Sequence, residues 1–262
     1  MALNQEQIEQ IGDELYEAWK ARRQVAPLTD RVPGITIDDA YQIQLRTIAN
    51  RAKAGEHHVG KKVGLTARVV QKALGVDQPD FGHLLSGMSY ADGDSIDASA
   101  FIQPKGEGEI GFILKRDLSG PGLTNADVLA AVECVMPCFE IVDSRITDWR
   151  IKVQDTVADN GSSAAFVVGD KAVDPRRVDL ATLGMVLEKN GEIIGTGAGA
   201  ATLGNPVNAV TWLANALGAY GITLKAGELI LSGSLSVLFP IQKGDVLRMS
   251  LGGVGSASCR FS

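Results

Sequence analysis

Two glutamates that alternate with glycines carry the clearest chemical signal in the sequence. Glu107 and Glu109 lie in the run Gly-Glu-Gly-Glu-Ile, just ahead of the apolar residues 111–114. If this run is a β-strand, both carboxylates point to one face and the glycines leave the other face bare. Adjacent carboxylates repel each other unless a proton, a basic group or a divalent cation lies between them. We therefore predict a cation site here; the alternative is that both acids lie on the solvent face of an edge strand and bind nothing.

A third carboxylate stands in the next apolar run. Glu140 lies within residues 138–142 and is the natural third ligand for a divalent cation with oxygen ligands. Zinc has weaker support, because Cys134 and Cys138 have no histidine near them in sequence. A nucleophile paired with one of the three histidines lacks a supporting G-x-S-x-G sequence.

The composition indicates one sizeable enzyme domain with a small ligand. Its 262 residues are 45% hydrophobic and carry a net charge of −6, which leaves no basic face for nucleic acid or an anionic membrane. No apolar run is long enough to cross a membrane, and the polar N-terminus is unlike a signal peptide. Three cysteines, an odd number, fit a reducing compartment, so we predict a cytoplasmic protein.

Hydrophobic periodicity divides the chain into a helical N-terminal segment and a β-rich remainder. Residues 4–24 have helical spacing, and Thr36 opens a second helix with a capping box in which Asp replaces Glu. We predict that residues 1–58 form a helical segment packed on the core. Residues 59–262 then form the β-rich catalytic part of one structural unit, with no linker between the two.

Strands dominate the second part of the chain. We predict strands at residues 59–65, 228–231, 246–251 and 256–261, and a type I′ hairpin turn at residues 189–192. Helices are predicted from Thr66 to Leu74, from Thr124 to near Pro137 and over residues 205–219, with a loop at residues 75–82. Because strands and helices do not alternate regularly, the predicted class is α+β.

Five segments together resemble one known family. They are residues 60–66, 78–82, 106–110, 142–145 and 157–160. They are similar to the 2-hydroxypenta-2,4-dienoate hydratases of aromatic meta-cleavage pathways, in the fumarylacetoacetate hydrolase superfamily, over nearly the whole chain. The resemblance implies a mixed β-sandwich or roll core with flanking helices. The 4-oxalocrotonate decarboxylases share that fold and most of these segments.

The resemblance implies roles for three acids and one lysine. Glu107, Glu109 and Glu140 would bind Mg²⁺ or Mn²⁺, in agreement with the interpretation of the residues alone. Lys62 matches an active-site lysine, the alternative being a surface ion pair. Its neighbour Lys61 is expected to face solvent, because adjacent strand residues point to opposite faces. The C–C hydrolases of the superfamily usually have Asp in place of Glu140 and use a His/Glu pair that we do not find, so hydrolysis is disfavoured.

Asp80 separates the two nearest activities. In the families that the chain resembles, hydratases carry an acid in this loop and decarboxylases carry an apolar residue. Asp80 therefore implies a hydratase in which this acid transfers protons or positions water. The alternative is an ordinary turn residue after Pro79. Pocket-lining segments of the family, whose hydroxyls and backbone N–H groups would hold a substrate carboxylate, match Asp159, Ser163, Ser232, Gly233 and Ser234.

The implied reaction is metal-dependent hydration of 2-hydroxypenta-2,4-dienoate to 4-hydroxy-2-oxopentanoate. Two alternatives stay open: a 4-oxalocrotonate decarboxylase, which uses the same electron sink, and a non-catalytic subunit that stabilises such a decarboxylase. The intact set of Lys62, Asp80 and three glutamates speaks against the non-catalytic subunit. The resemblance also implies a homo-oligomer and association with a 4-oxalocrotonate decarboxylase.

Overall fold

The computed structural model of the chain describes residues 3–74, 76 and 78–262. Within them the helices are α1 (Gln5–Ala21), α2 (Leu28–Arg31), α3 (Ile37–Lys53), α4 (Arg68–Leu74), α5 (Asn125–Ala131), α6 (Val153–Ala158) and α7 (Pro206–Gly218). The strands are β1 (His58–Gly64), β2 (Asp80–Leu85), β3 (Ser89–Ala91), β4 (Ser95–Ile96), β5 (Lys105–Leu114), β6 (Val132–Val142), β7 (Ser163–Val168), β8 (Gly184–Lys189), β9 (Glu192–Ala198), β10 (Leu229–Leu231), β11 (Phe239–Pro240), β12 (Val246–Leu251) and β13 (Gly255–Phe261). None of the described helices is both long and apolar enough to cross a membrane.

The strands form two mixed sheets. The larger has the order β2-β1-β10-β5-β6-β7-β3, with β11 added beside β5, and the smaller has the order β4-β13-β12-β8-β9. The chain just before β7 reaches back to β2, because the side chain of Asn160 hydrogen-bonds the backbone of His83. The larger sheet therefore curls into a roll in which its β2 edge meets the chain that enters β7.

The two sheets pack face to face through glycines of β5. A Cβ at Gly108 would come within 2.6 Å of the Met185 sulfur and 2.8 Å of the Met249 sulfur, which belong to the smaller sheet. A Cβ at Gly106 would meet the ring of Phe239 at 2.5 Å. This face is therefore filled, not bare, because side chains of the smaller sheet and of the adjacent strand β11 occupy the space that the glycines leave. The predicted α+β class with a sandwich or roll core is confirmed.

The N-terminal helices pack on this core. Thr36 and Asp39 cap α3 reciprocally, as the sequence predicts. Helices α1 and α3 lie against each other, and the Thr47 hydroxyl donates to the Gly12 carbonyl at 3.0 Å. Apolar residues of α1 such as Leu15 belong to the same hydrophobic core as the strands. The boundary at residues 58 and 59 stays a prediction.

Most predicted elements occur, and three boundaries were wrong. The hairpin turns at Asn190 and Gly191, both with positive φ, and Asn205 caps α7. The helix after Thr124 ends at Ala131, because the next eleven residues form β6 and pair with β5. The loop predicted for residues 75–82 ends earlier, since β2 begins at Asp80; its residues 75 and 77 lie outside the described part. Helix α4 begins at Arg68, two residues after the predicted start.

Candidate active site

Three carboxylates meet on one face of β5 and β6. Glu107 lies directly opposite Glu140 in the strand ladder, and Glu109 follows two residues later on the same face. One carboxylate oxygen from each lies within 4.8 Å of the other two. Glu109 and Glu140 are fully buried and Glu107 is half-buried. We call these three residues the acid cluster. Strand β5 has neighbours on both sides, so the edge-strand alternative is wrong.

The acid cluster has the donor set of a divalent cation site. Oε1 of Glu109 and both carboxylate oxygens of Glu140 have no hydrogen-bond partner among the described residues. Burial, followed by the charge of Glu140, raises the pKa of Glu107 to about 7. Burial and then the charges of Glu140 and Glu107 raise the pKa of Glu109 well above its ordinary value. Carboxylate oxygens that face each other without hydrogen-bond donors are suitable ligands for Mg²⁺ or Mn²⁺, because both ions bind oxygen.

Gly233 fixes one member of the acid cluster. Its backbone N–H donates to Oε2 of Glu109 at 2.7 Å. The φ of Gly233 is +100°, and a Cβ there would overlap the side chain of Thr66. Only glycine brings its backbone this close without strain. In this structure the Gly233 N–H is thus engaged by Glu109.

Lys62 lies beside the acid cluster and is buried. Its Nζ is 3.6 Å from Oε2 of Glu140 and 3.8 Å from Oδ1 of Asp80, and it donates to the Gly161 carbonyl at 2.9 Å. Burial alone would lower the pKa of Lys62, but the charges of Glu140 and Asp80 outweigh it and raise the pKa above its ordinary value. The side chain is therefore an ammonium group among carboxylates.

Lys61 corrects one expectation from the sequence. It points away from Lys62, as strand alternation requires, yet it is only 4% exposed and not solvent-facing. Its Nζ pairs with Oε1 of Glu228 at 3.0 Å. Glu228 stands just before β10, the strand beside β1, so the buried pair joins two neighbouring strands.

Asp80 is the first residue of β2 and is buried, so a strand positions it instead of a loop. Its Oδ2 accepts a hydrogen bond from the Thr156 hydroxyl at 3.0 Å. Its Oδ1 has no hydrogen-bond partner among the described residues and faces Lys62. Gly64 lies opposite Asp80 in the ladder, and a Cβ at Gly64 would overlap Oδ1. Thr156 and Gly161, which contact Asp80 and Lys62, were not predicted as site residues, because no local sequence motif contains them.

The remaining predicted residues fall into two groups. Ser163 and Ser232 are buried, and their hydroxyls have no hydrogen-bond partner among the described residues. Ser234 donates instead to the Ser236 carbonyl at 2.9 Å. Asp159 lies in a buried ion pair with Arg145, whose backbone N–H also donates to Oδ2 at 2.9 Å.

The electrostatics of Asp159 follow from that ion pair. Burial raises the pKa of Asp159 to about 6, and the Arg145 guanidinium opposes this rise. The structure thus brings together the acid cluster, Lys62, Asp80 and Gly233. It leaves the side chains of Asp159 and Ser234 engaged with their own neighbours.

Comparison with known proteins identifies the family of the chain. The family model described as fumarylacetoacetate (FAA) hydrolase C-terminal matches residues 47–262. A 2-hydroxyhexa-2,4-dienoate hydratase of Comamonas testosteroni is 53% identical over 257 residues, which cover 97% of each chain. A 2-hydroxypent-2,4-dienoate hydratase of Pseudomonas putida is 60% identical over 216 residues, which cover 82% of this chain and 97% of the relative.

Solved structures place the fold in the same group. A 4-oxalocrotonate decarboxylase from Pseudomonas putida G7, complexed with magnesium and adipate, has a TM-score of 0.97 at 37% identity and 99% coverage of both chains. A fumarylpyruvate hydrolase from Pseudomonas aeruginosa, in complex with Mn²⁺ and pyruvate, has a TM-score of 0.61 at 13% identity over 77% of this chain and 88% of the other, and shows the fold alone. The chain belongs to the fumarylacetoacetate hydrolase C-terminal family, in which its near-full-length relatives are dienoate hydratases.

Proposed function

We propose that the chain is a hydro-lyase that adds water to 2-hydroxypenta-2,4-dienoate and yields 4-hydroxy-2-oxopentanoate, in the meta-cleavage degradation of aromatic compounds. One observation carries the proposal: a buried lysine and a buried aspartate lie 3.8 Å apart, and the lysine also contacts the acid cluster. The hydratase relatives support the same activity. Because the chain has the set of groups that the reaction needs, a purely stabilising subunit is the weaker proposal.

Glu107, Glu109 and Glu140 would hold the metal ion, Mg²⁺ or Mn²⁺. When bound there, such an ion supplies Lewis acidity that polarises the 2-oxo group and stabilises negative charge on the substrate. The structure of the decarboxylase relative with magnesium supports a divalent ion of this kind. The half-buried Glu107 lies on the more open side of the acid cluster, where substrate and water can approach.

Lys62 and Asp80 perform the proton and charge chemistry in this proposal. The Lys62 ammonium binds an oxygen of the substrate carboxylate or enolate and stabilises its charge. Asp80, with Oδ2 held by Thr156 and Oδ1 unpaired, moves protons. Proton transfer from the 2-hydroxyl to C5 converts the dienoate to 2-oxopent-3-enoate. Water then adds to C4 and a proton to C3, which gives the product. The hydroxyls of Ser163 and Ser232 bind the substrate carboxylate.

The surroundings of the acid cluster favour a dienoate over a diacid. The same sheet face continues into a small apolar cluster that includes Leu84, Cys138, Phe166 and Leu231. An apolar wall suits the uncharged end of pentadienoate, whereas a decarboxylase must also receive a second carboxylate. The TM-score of 0.97 to the decarboxylase nonetheless makes decarboxylation of 4-oxalocrotonate the second candidate function.

The cellular setting completes the proposal. We place the enzyme in the cytoplasm as a homo-oligomer that associates with a 4-oxalocrotonate decarboxylase. Its three cysteines are unpaired, as expected for a reducing compartment. The resemblance to the hydratase and decarboxylase group supports the assembly, which size measurement of the purified protein with and without the decarboxylase tests.

The experiment that tests the function compares two substrates. The metal-loaded protein is incubated with 2-hydroxypenta-2,4-dienoate or with 2-oxohex-3-enedioate, and dienoate absorbance and CO₂ release are followed. We expect loss of the dienoate without CO₂, no turnover with EDTA, and a rate about 100-fold or more lower in Asp80→Asn. Asp170→Asn, at an exposed position, is the matched control. CO₂ release from the diacid would make the chain a decarboxylase, and no turnover of either substrate would favour the stabilising subunit.

A further inference from the structure

Residues 160–162 form a left-handed turn next to the active site. The φ angles of Asn160, Gly161 and Ser162 are 58°, 59° and 55°. Residues other than glycine rarely adopt this region, although Asn does so more often than most. Two of the three residues carry side chains, so other contacts must hold the turn in place.

The Asn160 side chain stabilises the turn through two hydrogen bonds. Its Oδ1 accepts the His83 backbone N–H at 2.7 Å, and its Nδ2 donates to the His83 carbonyl at 2.9 Å. Strand β2 is the outermost strand of its sheet. The Asn160 side chain therefore bonds the two backbone groups that a further strand would otherwise pair with. On the other side, the Ser162 carbonyl accepts the Asp143 backbone N–H at 2.7 Å. The turn is therefore clamped between β2 and the end of β6.

The turn directs one carbonyl at Lys62. The Gly161 carbonyl accepts the Lys62 ammonium at 2.9 Å. This is the shortest of the contacts that hold Nζ, since Glu140 and Asp80 lie at 3.6 and 3.8 Å. A Cβ at Gly161 would lie 3.2 Å from Nζ, so the close approach depends on glycine.

We propose that Asn160 is a positioning residue: it holds the left-handed turn whose Gly161 carbonyl fixes the Lys62 ammonium between Asp80 and Glu140. The inference rests on the proposed function for its kinetic consequence only. The position of Lys62 is a property of the folded chain and can be observed without turnover.

The kinetic test uses Asn160→Ala and Asn160→Gly. A displaced ammonium lowers kcat by about 10- to 100-fold, because misplacement of about 1 Å has effects of that size. Mn²⁺ affinity, measured by calorimetry, stays within about twofold, since the acid cluster is intact. Asn160→Gly removes the side chain and also the strain of positive φ, so it separates positioning from simple loss of stability. In a Lys62→Met background, either Asn160 change is expected to cause no further loss of kcat.

The matched control is Asn190→Ala. Asn190 also has positive φ, and both its amide nitrogen and its amide oxygen are hydrogen-bonded, to Asp245 and to the Val246 N–H, but it lies in the β8–β9 hairpin. It is expected to lower the melting temperature without changing kcat.

A second readout does not depend on activity. In protein labelled with ¹⁵N-lysine, the buried Lys62 ammonium gives a slowly exchanging signal, assigned by its absence in Lys62→Met. We expect Asn160→Ala and Asn160→Gly to shift or remove that signal and Asn190→Ala to preserve it. An unchanged Lys62 signal, or an additive loss of kcat in the Lys62→Met background, would overturn the inference. If the wild-type protein shows the signal but no hydratase turnover, the proposed function fails and the positioning role stands.

Discussion

Gly64 and Asp80 lie opposite each other in the β1–β2 ladder, and the Asp80 carboxylate occupies the space that a side chain at Gly64 would fill. A Cβ at Gly64 would also lie 2.8 Å from Nζ of Lys62. The aspartate and the lysine can therefore come together because one strand position has no side chain. Glycine is required here for space, since Gly64 is not among the residues with positive φ.

Gly64→Ala is expected to push the Asp80 carboxylate away from Lys62. We predict a fall in kcat of about 100-fold, from misplacement of the acid. The change is measured by steady-state kinetics with 2-hydroxypenta-2,4-dienoate. Gly184→Ala is the control, because a Cβ at that strand glycine meets nothing within 4 Å. Equal activity of the two variants would contradict the role of Gly64.

Glu109→Gln is expected to have opposite effects on the metal-free and metal-loaded protein. Burial and repulsion by the neighbouring carboxylates raise the pKa of Glu109, so its negative charge destabilises the metal-free folded protein. A neutral glutamine removes that unfavourable charge. The amide oxygen of the substituted side chain can still accept the Gly233 N–H. In EDTA, we predict that the melting temperature of Glu109→Gln equals or exceeds that of the wild type. Mn²⁺ at about 100 times its Kd is expected to stabilise the wild type by about 2.7 kcal/mol. Glu109→Gln is expected to lose that stabilisation.

The control for this metal prediction is Glu192→Gln, at an exposed position. It is expected to leave both melting temperatures unchanged. A Glu109→Gln protein that is destabilised in EDTA, or that keeps the full Mn²⁺ response, would show that the acid cluster is not the metal site.

Ser163→Ala is predicted to weaken substrate binding without loss of stability. The Ser163 hydroxyl is buried and has no partner among the described residues, so its removal deletes an unsatisfied group. We expect KM to rise about fivefold or more and the ligand-free protein to be as stable as the wild type or up to about 1 kcal/mol more stable. Ser144→Ala is the contrast, because that hydroxyl accepts the Ile146 N–H at 3.1 Å and is expected to lose stability.

His83 is predicted to make the protein less stable in mild acid than it would be without this group. It is buried beside Tyr41, with Lys61 and His58 on β1 and Glu228 near Lys61. Burial, then the charges of Lys61 and His58, lowers the pKa of His83 well below 6.5. Below about pH 6.5 the unfolded chain binds a proton at His83 that the folded chain does not, so His83 by itself lowers the free energy of unfolding by up to about 1.4 kcal/mol per pH unit. The buried carboxyl groups with raised pKa, among them Glu107 and Asp159, act in the opposite direction because they bind protons on folding.

The pH prediction is measured by urea unfolding at pH 7.5, 6.5 and 5.5. His83→Phe keeps a ring against Tyr41 and removes the titrating group, so the stability of the wild type relative to this variant is expected to fall as the pH falls. His57→Gln, at an exposed position, is expected to follow the wild type. A His83→Phe protein that loses stability in parallel with the wild type would exclude His83 as the cause.

Local patterns in the sequence predict the parts of the fold that nearby residues determine. The alternation around Glu107 and Glu109, the Thr36 cap and the hairpin turn at Asn190 each depend on residues within four positions of one another. These predictions are confirmed because the interactions that specify them are short in range. The third acid, Glu140, was found because it stands in an apolar run of its own.

Other parts of the site depend on residues far apart in sequence. Asp80 follows several turn-forming residues, and only its pairing with Gly64 makes it a strand residue. The burial of Lys61 depends on Glu228, 167 residues away. Thr156 contacts Asp80 from 76 residues away. No local pattern contains these relationships, so the sequence alone leaves them out.

The alternation of Glu107 and Glu109 with Gly106 and Gly108 also has a consequence for folding. The glycines face the second sheet, where Met185 and its neighbours leave no space, while the glutamates face the interior of the roll. A shift of β5 by one residue would turn both carboxylates into the apolar layer between the sheets. The tetrapeptide that supplies two members of the acid cluster therefore also excludes the misregistered sheet, so one short sequence feature serves both the candidate site and the native strand pairing.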